Sequence, residues 1–204
     1  MSNLISFLVG VASSMVASYI LNFLGILSKL VPPKFRKSFD REFKNQKKAL
    51  KSIRKDAKSS DTLRVLAMKG DTFSNPGDSG DLHDLLLNGP NKQKYLISSP
   101  DNPYIIQRGM ELKNNNLRMG IENSIGCFED VAAINKNIEI RKHSEILRFR
   151  LIIFDNRLYL SFQSTDTPGK LSPMQRYIKS SSGYSALEAY FEDLWKKYEK
   201  NETV

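Results

Sequence analysis

Residues 148–162, RFRLIIFDNRLYLSF, are the most informative stretch of this chain about its fold. Two runs rich in Leu, Ile, Phe and Tyr flank the dipeptide Asp155-Asn156, and both of those residues are typical of tight turns. The first run contains the uninterrupted apolar stretch LIIF, as expected of a strand that fills a core. The sequence therefore predicts a β-hairpin over residues 146–163.

The segments on either side of the hairpin alternate between strand and helix patterns. Further strands are predicted at LRVLAM (63–68), KYLIS (94–98), IEIRK (138–142) and MQRYIKS (174–180). Helices are predicted at 81–89, over 104–135 with a break at 114–116, and over 184–200. This order predicts an α/β fold in which helices pack against a mixed sheet.

The positive charge of the chain is local. The 204 residues have a formal net charge of +9, but residues 29–58 hold 12 Lys or Arg against 3 acids, so the remainder balances at 19 of each sign. That balance excludes a nucleic-acid-binding surface spread over the whole chain. The single cysteine, Cys127, can form no intrachain disulfide, and the sequence has no zinc spacing, phosphate loop or dinucleotide fingerprint. We therefore expect neither a metal nor a cofactor.

The N-terminal segment has the composition of a membrane anchor. Residues 4–27 contain no charge, and about 20 such residues cross a bilayer. We expect residues 1–31 to be a transmembrane helix in the cell inner membrane, with membrane lipid as a partner. Because positive charge stays on the cytoplasmic side, the N-terminus is expected outside and the C-terminal domain in the cytoplasm. Small or polar residues recur every four positions and predict packing in a homo-oligomer or a pore lining: Ser6, Gly10, Ser14, Ser18 and Asn22.

Residues 32–60 predict a basic amphipathic helix. Phe35, Phe39 and Phe43 recur every four residues and begin an apolar stripe. The helix could lie on anionic lipid or form a short oligomeric stalk. It could also pack on its own domain as an ordinary solvated helix. The helix could also bind the phosphates of nucleic acid. The lack of an aromatic stacking pattern argues against this alternative. The globular domain is expected at residues 61–204.

The hairpin also carries a motif. Arg148, Arg150 and Asp155 have the spacing of the His-x-Lys-x-x-x-x-Asp signature, so this stretch resembles the phospholipase D superfamily. With the elements LRVLAM, YLISSPDNP and YFEDLWKKY, residues 62–199 resemble the catalytically degenerate phospholipase D-like domains attached to bacterial regulators. The resemblance implies a phospholipase D-like α/β domain that pairs as a dimer.

The departure from the signature removes the catalytic residues. In the family the histidine is the nucleophile, and the guanidinium of Arg148 has no lone pair with which to replace it. His83 and His143 each lack a partnered base, and we interpret both as structural. The chain is therefore predicted not to be an enzyme. Two arginines two residues apart on a strand face the same side, so Arg148 and Arg150 form a predicted phosphate receptor. The alternative is that both lie on a solvated face.

Other residues extend this predicted receptor. Asp155 belongs to the same motif. Lys69 begins the loop after the first predicted strand, where α/β folds commonly place ligand-binding residues. Ser182 and Gly183 precede the last helix, where free N–H groups suit a phosphate, although Ser and Gly there also make an ordinary helix cap.

The combination predicts a sensor-effector. The cytoplasmic domain would bind a phosphate-bearing signal, such as a nucleotide, and an oligomer of membrane helices would rearrange. Single-span proteins of this plan resemble prokaryotic antiviral effectors that disrupt the inner membrane. Two alternatives stay open: a phospholipase D-like phosphodiesterase with another nucleophile, and a passive membrane tether for a partner.

Overall fold

The hairpin forms where the sequence predicts it. In the computed structural model, which describes residues 39–77, 82–163 and 169–199, strand β5 (Phe149–Phe154) pairs antiparallel with β6 (Arg157–Phe162) around Asp155 and Asn156. Leu151 to Phe154 are completely buried. The prediction of a core-filling strand is confirmed.

Five other strands join the hairpin in one mixed sheet. They are β1 (Arg41–Phe43), β2 (Thr62–Ala67), β3 (Lys92–Ser98), β4 (Ile138–His143) and β7 (Met174–Ile178). The strand order is β1-β7-β6-β5-β2-β3-β4, with β2, β3 and β4 parallel and the other neighbours antiparallel. The predicted mixed α/β sheet is therefore present.

Helices cover both faces of the sheet. They are α1 (Gln46–Lys58), α2 (Asp71–Ser74), α3 (His83–Asn88), α4 (Tyr104–Glu111), α5 (Leu117–Ile134) and α6 (Ser182–Lys197), with a 3-10 turn at Gly169–Leu171. The predicted break at 114–116 separates α4 from α5. Residues of α1, α2, α3 and α5 share one apolar cluster with Ile152 and Phe154 of β5, while α6 packs with Leu151 and Ile153 in a second cluster. Alternate side chains of β5 thus point to opposite faces of the sheet and pack into two separate cores.

The membrane part of the predicted architecture is corrected. Within the ranges described, no helix is long and apolar enough to cross a membrane. The predicted anchor at 1–31, with Ser6, Gly10, Ser14, Ser18 and Asn22, lies outside the described residues. The predicted inner-membrane localisation depended on that anchor, and the described residues do not support it.

The basic segment differs from the single helix predicted at 32–60. From Phe39 the chain forms β1, which pairs with β7, and then α1, whose N-cap Asn45 accepts a hydrogen bond from the Lys48 N–H (3.1 Å). The apolar side of α1, at Ala49, Ile53 and Ala57, is at most 4% exposed and belongs to the core. The compact unit thus begins at Phe39 rather than at 61. An apolar stripe has the same spacing whether a sheet or lipid covers it, so periodicity could not distinguish the two.

Candidate anion-binding site

A cavity of about 170 Å³ lies at the carboxyl end of β2. The chain leaves the strand there through Met68, Lys69 and Gly70 and enters α2. The polar side chains that line the cavity come from four segments of the chain, and they include three cations and one acid: Lys69, Asp71, Thr72, Arg108, Asn114, Arg150 and Gln163. We call this the anion cavity.

Arg150 reaches the anion cavity because of the sheet register. Strand β5 runs antiparallel to β2 and pairs Leu151 with Leu66, so the first residues of β5 lie beside the carboxyl end of β2. Arg150 is only 7% exposed, and its Nη1 donates to Oγ1 of Thr72 (3.2 Å). Its Nε and Nη2 have no hydrogen-bond partner among the described residues. Two buried donors are therefore available to a ligand.

The charge of Arg150 is not compensated by a direct ion pair within the described part of the chain. Burial lowers the pKa of Arg150 to about 10, and the carboxylate of Asp71 acts in the opposite direction. A pKa of about 10 keeps the guanidinium protonated at neutral pH. A buried charge without a partner is costly, so an anion that enters the cavity would be strongly favoured.

The turn after β2 depends on glycine. Gly70 has φ +76°, and a Cβ there would lie 2.8 Å from the Phe128 ring. Lys69 runs along α5, where a Cβ at Gly120 would lie 2.6 Å from its Cε. The Nζ of Lys69 is 3.3 Å from the Asp71 carboxylate. Glycine at two positions thus lets backbone and lysine approach the cavity closely.

Arg148 does not line the anion cavity. Its Nη2 donates to Oε1 of Glu111 (2.6 Å), and its guanidinium lies 5.7 Å from the centre of the Tyr104 ring. The other carboxylate oxygen of Glu111 accepts from Nη1 of Arg108 (2.8 Å). The hydrogen bonds from Arg108 and Arg148 lower the pKa of Glu111. Of the predicted arginine pair, only Arg150 faces the cavity, because Glu111 already engages Arg148.

The remaining predicted ligands lie at the other end of β5. Asp155 follows the strand, accepts from the Asp61 N–H (2.7 Å), and also accepts from the Thr62 hydroxyl. Asp155 lies five positions after Arg150, a distance of about 16 Å along a strand. The three residues of the phospholipase D-like motif therefore do not come together in one phosphate site.

Ser182 and Gly183 also lie away from the anion cavity. They open α6, whose N-cap Ser181 accepts from the Tyr184 N–H (3.2 Å). The hydroxyl of Tyr184 donates to the carbonyl of Phe154, which places this helix start at the Asp155 end of the sheet. Ser181 therefore forms an ordinary helix cap at this position.

The sequence prediction included Lys69 and Arg150 but missed Thr72, Arg108, Asn114 and Gln163. The position of Arg108 in the sequence pattern could have indicated its role. It lies on the same face of α4 as Tyr104 and Ile105, and it is only 1% exposed. A charged residue on an apolar helix face indicates a buried polar site.

The two histidines and the cysteine take no part in this site. Burial lowers the pKa of His143 to about 4, and its Nε2 lies 3.3 Å from the Ala67 carbonyl oxygen. Nδ1 of His83 lies 2.7 Å from the Phe73 carbonyl oxygen. Cys127 donates to the carbonyl of Ser74 (3.4 Å), and burial raises the pKa of its thiol. In the described ranges no cluster of three metal-ligating side chains occurs.

Comparison with known proteins adds a structural likeness. No protein family matches the sequence, and no curated protein matches it either. Among solved structures, the chain is similar to TrmBL2, an archaeal chromatin protein whose structure shows a novel mode of DNA binding. The TM-score is 0.45 at 15% identity, and the match covers 92% of this chain and 63% of TrmBL2. A score at this level carries no conclusion about function, so the function has to be inferred from the residues of the anion cavity.

Proposed function

We propose that this protein is a receptor for a phosphate-bearing ligand, which it holds in the anion cavity. The observation that supports this most is Arg150, a 7% exposed guanidinium with two unused donors and no carboxylate bound to it in the described residues. Guanidinium donors in a fixed fork match the geometry of a phosphate. A bound phosphate would supply the missing counter-ion.

The other lining residues fit the same ligand. Lys69 supplies a second cation, and Asn114 and Gln163 supply amide donors. The single acid, Asp71, is held by Lys69. Drug-sized ligands occupy pockets of roughly 300 to 1,000 Å³, so a cavity of about 170 Å³ accommodates a phosphate group rather than a whole nucleotide. We infer that the phosphate enters and that the remainder of the ligand lies outside.

The side chains of the cavity favour binding of the ligand without chemical turnover. Arg150 holds the Thr72 hydroxyl, and a guanidinium cannot accept its proton. His143 is buried against Ala67 and Glu145 with both ring nitrogens engaged. A signal that is bound and not consumed suits a sensor. Nucleic acid also carries phosphate and remains a possible class of partner. The positive charge on α1, rather than the anion cavity, supports that possibility.

The decisive experiment compares Arg150→Met with the wild-type protein in thermal unfolding and calorimetry with inorganic phosphate. Phosphate at about 100 times its Kd should stabilise the wild-type protein by about 2.7 kcal/mol. Arg150→Met should lose that stabilisation. Without phosphate the variant should be as stable as the wild-type protein or more stable, because methionine removes an uncompensated buried charge.

Arg148→Gln is the matched control. It removes an arginine two residues away that Glu111 already engages, so the response to phosphate should persist. The proposal is wrong if phosphate stabilises Arg150→Met as much as the wild-type protein. It is also wrong if the wild-type protein gains nothing from phosphate or from simple phosphomonoesters.

A further inference from the structure

Helix α1 presents a row of four lysines to solvent. Lys48, Lys51, Lys55 and Lys58 follow one another at steps of three or four residues, which places them on one face of the helix. All four are exposed. We call this row the lysine stripe.

The charge of the lysine stripe is not neutralised within the described residues. None of the four lysines takes part in an ion pair there. The one acid of α1, Asp56, turns towards the sheet, where it accepts from the Tyr159 hydroxyl (2.6 Å) and lies 3.6 Å from Arg176. The stripe is therefore a strong positive surface.

The positive surface continues beyond both ends of the stripe. Lys44 and Lys47 are exposed at the start of α1. Past Lys58, a polar depression of about 440 Å³ is lined by two cations, Arg157 and Lys179, by one acid, Asp56, and by the serines that follow the helix. A long polymer of negative charge matches this layout better than a single small anion.

The arrangement of α1 argues against a lipid surface. A helix that lies on a membrane buries its apolar face among the lipid chains. Here that face is already covered by the domain, since Ala49 and Ile53 are fully buried. Only the lysine side remains for a partner, and the contact must be electrostatic.

We propose that the lysine stripe binds the phosphate backbone of double-stranded nucleic acid. From Lys48 to Lys58 the helix rises about 15 Å, a distance over which one strand of B-DNA carries about four charges. Helix α1 has no aromatic residue on which unpaired bases could stack, so the surface suits a duplex rather than a single strand. Lysine contacts to phosphate read no base, and binding is independent of sequence.

The test measures binding of the full chain to a labelled duplex of about 20 base pairs by fluorescence anisotropy at several salt concentrations. The variant Lys48→Gln, Lys51→Gln, Lys55→Gln removes three charges from the stripe. Its affinity should fall at least about tenfold, and the slope of log K against log salt should shrink by about 2.7.

The matched control is Lys92→Gln, Lys136→Gln, Lys196→Gln. It removes the same charge from exposed lysines elsewhere, so its salt slope should stay near that of the wild-type protein. Equal losses in both triple variants would overturn the proposal, since net charge alone would then explain binding. Binding to vesicles with anionic phospholipid but not to the duplex, or a preference for single strands, would also overturn it.

The lysine stripe is independent of the anion cavity. Arg150→Met should leave duplex binding unchanged, and the triple stripe variant should keep its response to inorganic phosphate. Failure of one proposal can therefore be told apart from failure of the other.

Discussion

Arg64, whose side chain is 14% exposed, and Arg150, which is 7% exposed, lie on neighbouring strands of one sheet and have opposite surroundings. Arg64 faces α6 and donates to Glu188 (2.7 Å) and Glu192 (2.8 Å). Burial lowers the pKa of Arg64, but the hydrogen bonds to Glu192 and Glu188 outweigh it, and the pKa is raised. Burial lowers the pKa of Arg150 to about 10, and no carboxylate contacts it in the described residues. The fold supplies two carboxylates to Arg64 and, among the described residues, none to Arg150.

A third buried base avoids the problem by losing its proton. Nδ1 of His143 accepts from the Glu145 N–H (3.2 Å), which leaves Nε2 to donate to the Ala67 carbonyl. Both bonds suit the neutral ring. One domain thus contains three cases of a buried basic group: Arg64 paired with carboxylates, His143 deprotonated, and Arg150 charged without a carboxylate among the described residues.

The largest effect is expected at the turn that forms the anion cavity. Gly70→Ala should cost about 3 kcal/mol, because alanine disfavours positive φ and its Cβ would clash with Phe128. Gly77→Ala is the control, since Gly77 also has positive φ, +86°, but a Cβ there would have no atom of the described residues within 4 Å. It should cost only about 1 kcal/mol. Urea unfolding measures both, and equal costs would show that the close approach to Phe128 is unimportant.

Removing the carboxylates from Arg64 should have the next largest effect. Glu188→Gln with Glu192→Gln leaves that guanidinium buried without an anion, and we expect a loss of about 2 kcal/mol in unfolding free energy. The value is modest because the two glutamates are 29% and 43% exposed. Phosphate should not restore this stability. A double variant as stable as the wild-type protein would mean that Arg64 does not need its two carboxylates, and the contrast with Arg150 would be wrong.

The smallest effect is a dependence on pH. The pKa of His143 is about 4 in the folded protein, so the unfolded chain binds the extra proton between that value and the ordinary histidine pKa of about 6.5. The stabilising contribution is present above pH 6.5 and is lost as the pH falls towards 4. Stability should drop by about 1.4 kcal/mol between about pH 7.5 and about pH 5.5. His143→Gln should flatten that part of the curve in urea unfolding, and an unchanged curve would assign the loss to other groups.

Local signals predicted the hairpin, the mixed sheet and the break before α5 well, because turn residues and periodicity act over a few neighbours. The same signals could not show what covers a helix face, so they left open whether the apolar side of α1 lies on lipid, in an oligomeric stalk or on its own domain. Arg148 and Arg150 could not be told apart either. Their difference depends on Glu111 and Thr72, which come from α4 and α2.

Where strands and helices form and where positive charge concentrates can be read from the sequence, since both are properties of neighbouring residues. Which buried cation has a partner depends on how distant segments come together. Long-range strand register carries Arg150 to the end of β2 and packing carries Glu188 and Glu192 to Arg64. An electrostatic contact within a few ångströms can join residues more than a hundred positions apart, and no local pattern records it.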